Sequence, residues 1–267
     1  MEKIGLIAGN RKFPLLFAQA ARKKGCYVAA IAVKKDTRPE LSRYVNKLYW
    51  LGLDEFSRLF EIFKAEGIKK VVMAGQISPR RLFSREVNKD PMVKELLSAL
   101  KDKRADTIFK AIAEKLAQAG FELIDSTTFV EDHLPKQGLL TRRQPEKEEW
   151  DDVRFGMDLA KAVAKLDIGQ TVAVKSGAII AVEAFEGTDN LIRRAGRLSG
   201  GNMVVAKVSR PDQDMRFDIP VVGINTVKNL LKAKARCLAI EAGKTLFIDK
   251  EQAIALAEKK GLAIVAV

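Results

Sequence analysis

The residues best suited to chemistry fall in one stretch, Lys207 to Thr226, which reads KVSRPDQDMRFDIPVVGINT. Lys207 and Arg210 are cations of the kind that hold phosphate oxygens, and Asp212, Asp214 and Asp218 are carboxylates that can hold a divalent cation or a water. Pro211 and Pro220 stiffen the loop by fixing φ. Gly223 with Asn225-Thr226 reads as a turn and N-cap opening a helix over Val227 to Cys237, whose first free amides favour an anion. A solvated loop with scattered charges has the same composition, because short Asp/Arg runs are common on surfaces.

Further candidates are spread along the chain. Gly9-Asn10 follows an apolar strand and, with Gly5, is similar to a phosphate-binding turn, although the full G-x-G-x-x-G is absent. The loop Gly75-Gln76-Ile77-Ser78-Pro79-Arg80-Arg81 follows another strand's carboxyl end, where parallel α/β sheets place ligand loops; a plain surface turn is the alternative. Arg142 and Arg143 stand in GLLTRRQP. Glu183 emerges near the end of a strand, and Arg193, Arg194 and Arg197 share one helix face, either an anion surface or a solvated one. His133 is the sole histidine. With no second ligand and no cysteine or serine partner, it reads as a satisfied polar residue rather than a general base.

These residues need a scaffold of alternating strands and helices. Strand Ile4 to Ala8, helix Pro14 to Lys24 and strand Tyr27 to Val33 make a βαβ opening, with Gly25 closing the helix. Strand Lys47 to Leu51, helix Asp54 to Glu66, strand Val71 to Ala74, a helical insertion from Asp90 to Lys103, helix Asp106 to Ala119 and strand Phe121 to Ile124 follow. Five strands separated by helices predict a Rossmann-like α/β domain over 1–130. Residues 131–148, with prolines, a glycine and the arginine pair, read as a linker bordering an interdomain cleft. Residues 149–267 read as a second, catalytic, mixed α/β domain. It holds helix Trp150 to Leu166, a hairpin of Gln170 to Lys175 and Ala178 to Ala184 turning at Ser176-Gly177, helix Asn190 to Leu198 and strand Met203 to Val208. Strands Leu238 to Glu241, Thr245 to Ile248 and Leu262 to Val265 with helix Lys250 to Lys260 complete it. The hairpin argues against an all-parallel second sheet.

The 267 residues carry 47 Lys and Arg against 34 Asp and Glu, a net charge of +13, with a pI near 9.7. That excess points to a negatively charged partner: nucleic acid, an anionic membrane face or a phosphorylated small molecule. Two cysteines without a CxxC pair, and one histidine, leave no basis for zinc or iron–sulfur ligation and fit a reduced, cytoplasmic protein. Met1-Glu2-Lys3 runs straight into a strand with no secretory signal, and no apolar run approaches the about 20 residues that span a bilayer, so any membrane contact is expected to be peripheral.

IGLIAGNRKFP, KVVMAGQISP, GLLTRRQP, AVEAFEGTDNLIRRAG, KVSRPDQDMRFDIPVVGINTV and AIEAGKTLFID, in that order, cover nearly the whole chain. Together they resemble the UDP-2,3-diacylglucosamine pyrophosphatases of lipid A biosynthesis of the LpxI type, unrelated to the calcineurin-like phosphoesterases that do the same job. The resemblance implies magnesium-dependent hydrolysis to 2,3-diacylglucosamine 1-phosphate (lipid X) and UMP, with substrate held between two α/β domains, and a homodimer. It also implies an essential carboxy-terminal aspartate, carried onto Asp218 first and Asp214 second. Asp218, Asp214 and Glu183 are then the Mg²⁺ candidates. Gly9, Asn10, Gly75, Gln76, Arg142, Arg194, Lys207, Arg210, Asn225 and Thr226 are the substrate-binding candidates. A diacylated substrate also gives the positive charge a reading, peripheral contact with the anionic cytoplasmic face of the inner membrane. Phe13, Leu82, Phe83 and Leu139-Leu140 are candidates for an acyl-chain groove, or simply core.

Two other classes compete. A nucleic-acid-binding protein follows from the pI, but a basic stripe interleaved with aromatics is missing at 7% aromatic content. A nucleotide-dependent oxidoreductase follows from the first βα unit, but Val33-Lys34-Lys35 stands where an acidic residue would end the second strand.

Overall fold

The computed structural model describes residues 1–77, 81, 86–102 and 105–267, the side chains of 88, 105 and 106 excepted. The chain forms two compact units, Met1–Glu131 with Asp214–Asp218, and Asp132–Gln213 with Ile219–Val267.

In the first unit, apolar runs with almost no polar interruption form β1 (Lys3–Ala8), β2 (Tyr27–Val33), β3 (Lys47–Leu51), β4 (Lys70–Ala74) and β5 (Glu122–Leu123). Continuous apolar character is what a parallel sheet covered on both faces requires. All the pairings are parallel, in the order β3-β2-β1-β4-β5. One face packs on α2 (Leu59–Ala65) and α4 (Ala105–Gln118) through Leu59, Phe63, Ala113 and Leu116. Helix α1 (Phe13–Lys23) lies against β1, β2 and β4 and buries Phe17, Ala18 and Ala21 completely. A further helix, α3 (Pro91–Ala99), is opened by Asp90, whose carboxylate accepts from Met92 N and Val93 N, both at 3.1 Å.

The second unit is built on a mixed sheet in the order β6-β13-β11-β9-β7-β8: β6 (Gly138–Leu139), β7 (Thr171–Lys175), β8 (Ala178–Val182), β9 (Val204–Lys207), β11 (Cys237–Ile240) and β13 (Ala263–Ala266). Pairings β9-β11-β13 are parallel; β7-β9, β7-β8 and β6-β13 are antiparallel. Period-2 alternation sorts the residues between faces. Val204, Ala206 and Val208 pack under α5 (Lys147–Lys165), and Met203 and Val205 pack under α6 (Thr188–Ser199), α7 (Ile224–Lys232) and α8 (Lys250–Lys259). A capping box of Glu146 and Glu149 opens α5. The hairpin turns at Ser176 (φ 50°) and Gly177 (φ 74°), the left-handed pair that a two-residue turn needs, and the Asp152 carboxylate accepts both of their N–H groups at 2.8 and 2.7 Å.

Several boundaries differ from those expected: α2 begins at Leu59, after a 3₁₀ turn over Phe56–Arg58, rather than at an Asp54 cap. Helix α7 starts at Ile224 and ends at Lys232, so Asn225 and Thr226 lie within its first turn rather than capping it, and Cys237 begins a strand. The reason is that Val221–Gly223 forms β10, paired in parallel with β12 (Leu246–Ile248). A Cβ on Gly223 would come 2.9 Å from Ile248 O, so the strand needs glycine there. Within 131–148, Leu139 and Gly138 pair with Val265 and Ala266, adding an edge strand to the second sheet.

Candidate active site

The strand order of the first unit reverses at β1. The chain builds outward from β1 through β2 to β3, then returns to place β4 on the other side of β1, and such a switch point leaves a crevice outside the strands' carboxyl ends. Gly9-Asn10 leaves β1 and Gly75-Gln76 leaves β4, so the two glycine loops face each other there. Gly9 N donates to Ala74 O and Asn10 N to Gln76 O, both at 2.8 Å. The loops meet backbone to backbone. A Cβ on Gly9 would lie 2.7 Å from Gln76 O, and one on Gly75, whose φ is +81°, would lie 2.5 Å from Asn10 O. The buried Oδ1 of Asn10 has no hydrogen-bond partner among the described residues. Thr37 braces the same edge, accepting from Val33 N at 2.8 Å and donating to Ala8 O at 2.5 Å. Arg81 donates to Lys34 O at 2.5 Å and pairs with Asp36 and Glu86 at 2.6 and 3.1 Å. Ser78, Pro79 and Arg80 lie outside the described residues, as do Leu82, Phe83 and the Lys103 end of the expected insertion.

The stretch from Lys207 to Thr226 does not act as one loop. Its residues 214–218 belong to the first unit. Phe217 is 8% exposed, joins that unit's core and sits 5.6 Å ring to ring from Phe109 of α4. Ser126, just beyond β5, fixes the turn through its N–H and hydroxyl, both donated to Met215 O at 3.1 and 2.7 Å. Because α4 runs down into the amino end of β5, Phe109 in its early turns and Ser126 both mark the carboxyl edge of the sheet. The acidic turn therefore docks on the edge that carries the glycine loops. Within it, Asp218 N and Phe217 N donate to Asp214 O at 3.0 and 3.2 Å. Arg216 grips both oxygens of Asp214, Nη2 to Oδ2 at 2.7 Å and Nε to Oδ1 at 2.9 Å, and this side-chain hydrogen bonding holds the carboxyl below its ordinary pKa.

The second unit gathers a different polar set. Lys207, at the end of β9 and 9% exposed, donates from Nζ to Thr188 Oγ1 at 2.8 Å in the first turn of α6. Thr188 donates to Glu183 Oε1 at 3.0 Å and lies 3.3 Å from Thr171 Oγ1. Glu183 Oε2 is buried with no hydrogen-bond partner among the described residues. A desolvated ammonium at a helix amino terminus is suited to an anion. Arg210 pairs with Asp167 at 2.7 Å, and Arg194 donates to Glu186 Oε1 at 2.5 Å and to Val182 O at 2.9 Å. Thr226 is buried and Asn225 exposed in the first turn of α7. Arg142 is apart from these, its side chain 91% exposed and 3.6 Å from Glu258. His133 Nδ1 lies 3.3 Å from Phe247 O, a polar residue with a backbone partner. Phe13 is core, Leu140 packs on the second unit's core, and Leu139 is exposed.

Magnesium takes one or two carboxylates and completes its octahedron with waters and phosphate oxygens. Among the described residues, no group of three or more His, Cys, Asp or Glu is gathered to hold a metal. Of the candidate ligands Asp218, Asp214 and Glu183, Glu183 has one carboxylate oxygen buried with no hydrogen-bond partner among the described residues, which suits a cation. Both Asp214 oxygens already accept from Arg216.

Other polar residues also hold defined places in the second unit. Arg143, not Arg142, turns inward, gripping Glu149 at 2.6 Å and donating to Arg236 O at 3.0 Å. Lys161 and Ser209 both donate to Glu241 Oε2, at 2.5 and 2.7 Å, beside the end of β9. Arg216 was visible as a cation two residues from Asp214, but spacing alone does not tell a partner from a neighbour.

Fold and site define a two-domain α/β protein, one domain Rossmann-like with glycine loops at its switch point, the other a mixed sheet with a buried lysine at a helix amino terminus. A family model described as the LpxI N-terminal domain matches residues 3–133, and one described as the LpxI C-terminal domain matches residues 136–265. The chain is 31% identical to the UDP-2,3-diacylglucosamine pyrophosphatase LpxI of Caulobacter vibrioides over 277 aligned residues, covering 100% of this chain and 98% of that protein. The chain belongs to the LpxI family. Among solved structures, it is similar to a multifunctional pyruvate carboxylase from Rhizobium etli (12% identity, TM-score 0.29, 52% of this chain and 14% of that one). It is also similar to an ADP complex of N5-carboxyaminoimidazole ribonucleotide synthetase (13%, TM-score 0.28, 73% and 44%). Likenesses of that size carry no argument here. No helix among the described residues is long and apolar enough to cross a membrane.

Proposed function

We propose that the chain hydrolyses the pyrophosphate of UDP-2,3-diacylglucosamine, releasing UMP and 2,3-diacylglucosamine 1-phosphate. The observation that carries this reading is the likeness to the Caulobacter pyrophosphatase across the whole of both chains. In the reaction, the oxygen of a water attacks one phosphorus of the anhydride. The bond to the bridging oxygen breaks, and that oxygen leaves with the other phosphate. Asp218 is assigned to position this water and take its proton; its turn is held by the buried Phe217 and by Ser126. Asp214 is the second choice, since Arg216 engages its carboxylate. Lys207, aimed at the first turn of α6, offsets phosphate charge as it builds in the transition state. Arg210 and Arg194, each held in place by its carboxylate partner, Asp167 and Glu186, are the further substrate-binding cations. Magnesium, which Glu183 would help hold, supplies neutralisation of the same oxygens when bound. The net charge of +13 supports peripheral contact with the anionic cytoplasmic face of the inner membrane, where such a substrate resides.

The test is Asp218→Ala. UMP release is expected to vanish while the circular dichroism spectrum and melting temperature stay near wild type. Near-normal turnover would remove Asp218 from this role.

A further inference from the structure

Leu166, Ile168 and Phe185 are 70%, 48% and 86% exposed, large apolar side chains left in water. Singly such residues need no explanation, but these three stand on two loops that meet. Leu166 and Ile168 lie in the turn after α5, and Phe185 in the loop after β8. The two loops touch at Gly169, where a Cβ would come 2.1 Å from Glu183 O. Glu183 N also donates to Thr171 O at 2.8 Å, tying the start of one loop to the end of the other.

The charge around this tip selects its occupant. Asp167 pairs with Arg210 at 2.7 Å and Glu186 with Arg194 at 2.5 Å, so the acids interleaved with the apolar residues are neutralised. Lys165, exposed, precedes Leu166. A second copy would bring another +13, whereas an anionic lipid surface complements it. We propose that the loops carrying Leu166, Ile168 and Phe185 insert into an anionic lipid surface. Glu183 and Thr188, which belong to the Lys207 set, flank Phe185 in the chain, so insertion brings that set to headgroup level. This placement deepens the hydrolase reading and rests on it for the turnover arm of the test alone.

The experiment compares wild type with Leu166→Ser/Ile168→Ser/Phe185→Ser, none of which is itself a site residue. Co-sedimentation with phosphatidylcholine vesicles containing phosphatidylglycerol is expected to weaken about tenfold or more in the variant, as removal of three inserting apolar side chains requires. Turnover of a short-acyl, water-soluble UDP-diacylglucosamine is expected to stay at the wild-type level. A single variant, Phe185→Trp, supplies a second readout, a blue shift in emission on adding the anionic vesicles. Unchanged sedimentation of the triple variant, no shift for Phe185→Trp, or a wild-type dimer that the triple variant splits without any change in vesicle binding would each overturn the proposal. Failure of the hydrolase reading shows separately, as no UMP release by wild type from either the soluble or the vesicle-borne substrate.

Discussion

Glu241 shows what a nearly buried carboxylate needs. Burial by itself pushes its pKa up, but hydrogen bonds from Lys161, from the N–H and hydroxyl of Ser209 and from Lys244 outweigh that and hold it at about 2. The folded value lies below the ordinary 4.5, so the stabilisation is fully present above pH 4.5 and is lost as pH falls toward 2. Thermal melts of wild type are therefore expected to drop through this window, and those of Glu241→Gln to drop less steeply; parallel curves would rule out this carboxylate as the source. Little of this was legible in the sequence. AIEAGK shows a glutamate after an apolar strand but not that Ser209 and Lys161 reach it. The same holds for Arg142 and Arg143, since adjacent residues of one type give no sign of which turns inward.

At the scale of elements, the glycine loops were legible because a strand followed by glycine and a helix has few solutions. Their mutual contact was not, because it depends on β4 crossing to the far side of β1. Gly75 combines a φ of +81° with Asn10 O at 2.5 Å from any Cβ. Gly75→Ala is expected to cost about 1–3 kcal/mol from backbone strain and to lower kcat/KM by separating the loops. A melting temperature and kcat/KM both equal to wild type would show that the loops tolerate displacement. The stretch from Lys207 to Thr226 was read as one loop from its charges. Phe217 held the contrary signal, a large apolar residue between Arg216 and Asp218, and burying it draws 214–218 into the first unit. Helix α7 begins earlier than its apparent cap because the strand β10 reaches Gly223.

At the scale of the whole molecule, the alternation of strands and helices set the fold class, and the Ser176-Gly177 hairpin anticipated the mixed second sheet. What composition could not supply was the partner, since +13 fits nucleic acid, membrane or phosphate alike. The family likeness over both domains, which includes a pyrophosphatase, favours a phosphorylated substrate over nucleic acid. The most direct test of the central claim is a turnover assay of the purified chain on UDP-2,3-diacylglucosamine, with and without EDTA. The account predicts stoichiometric UMP and 2,3-diacylglucosamine 1-phosphate, suppressed by EDTA and restored by added magnesium. Absence of UMP in magnesium-replete buffer would contradict the hydrolase assignment, and full turnover in EDTA would contradict the part given to the cation.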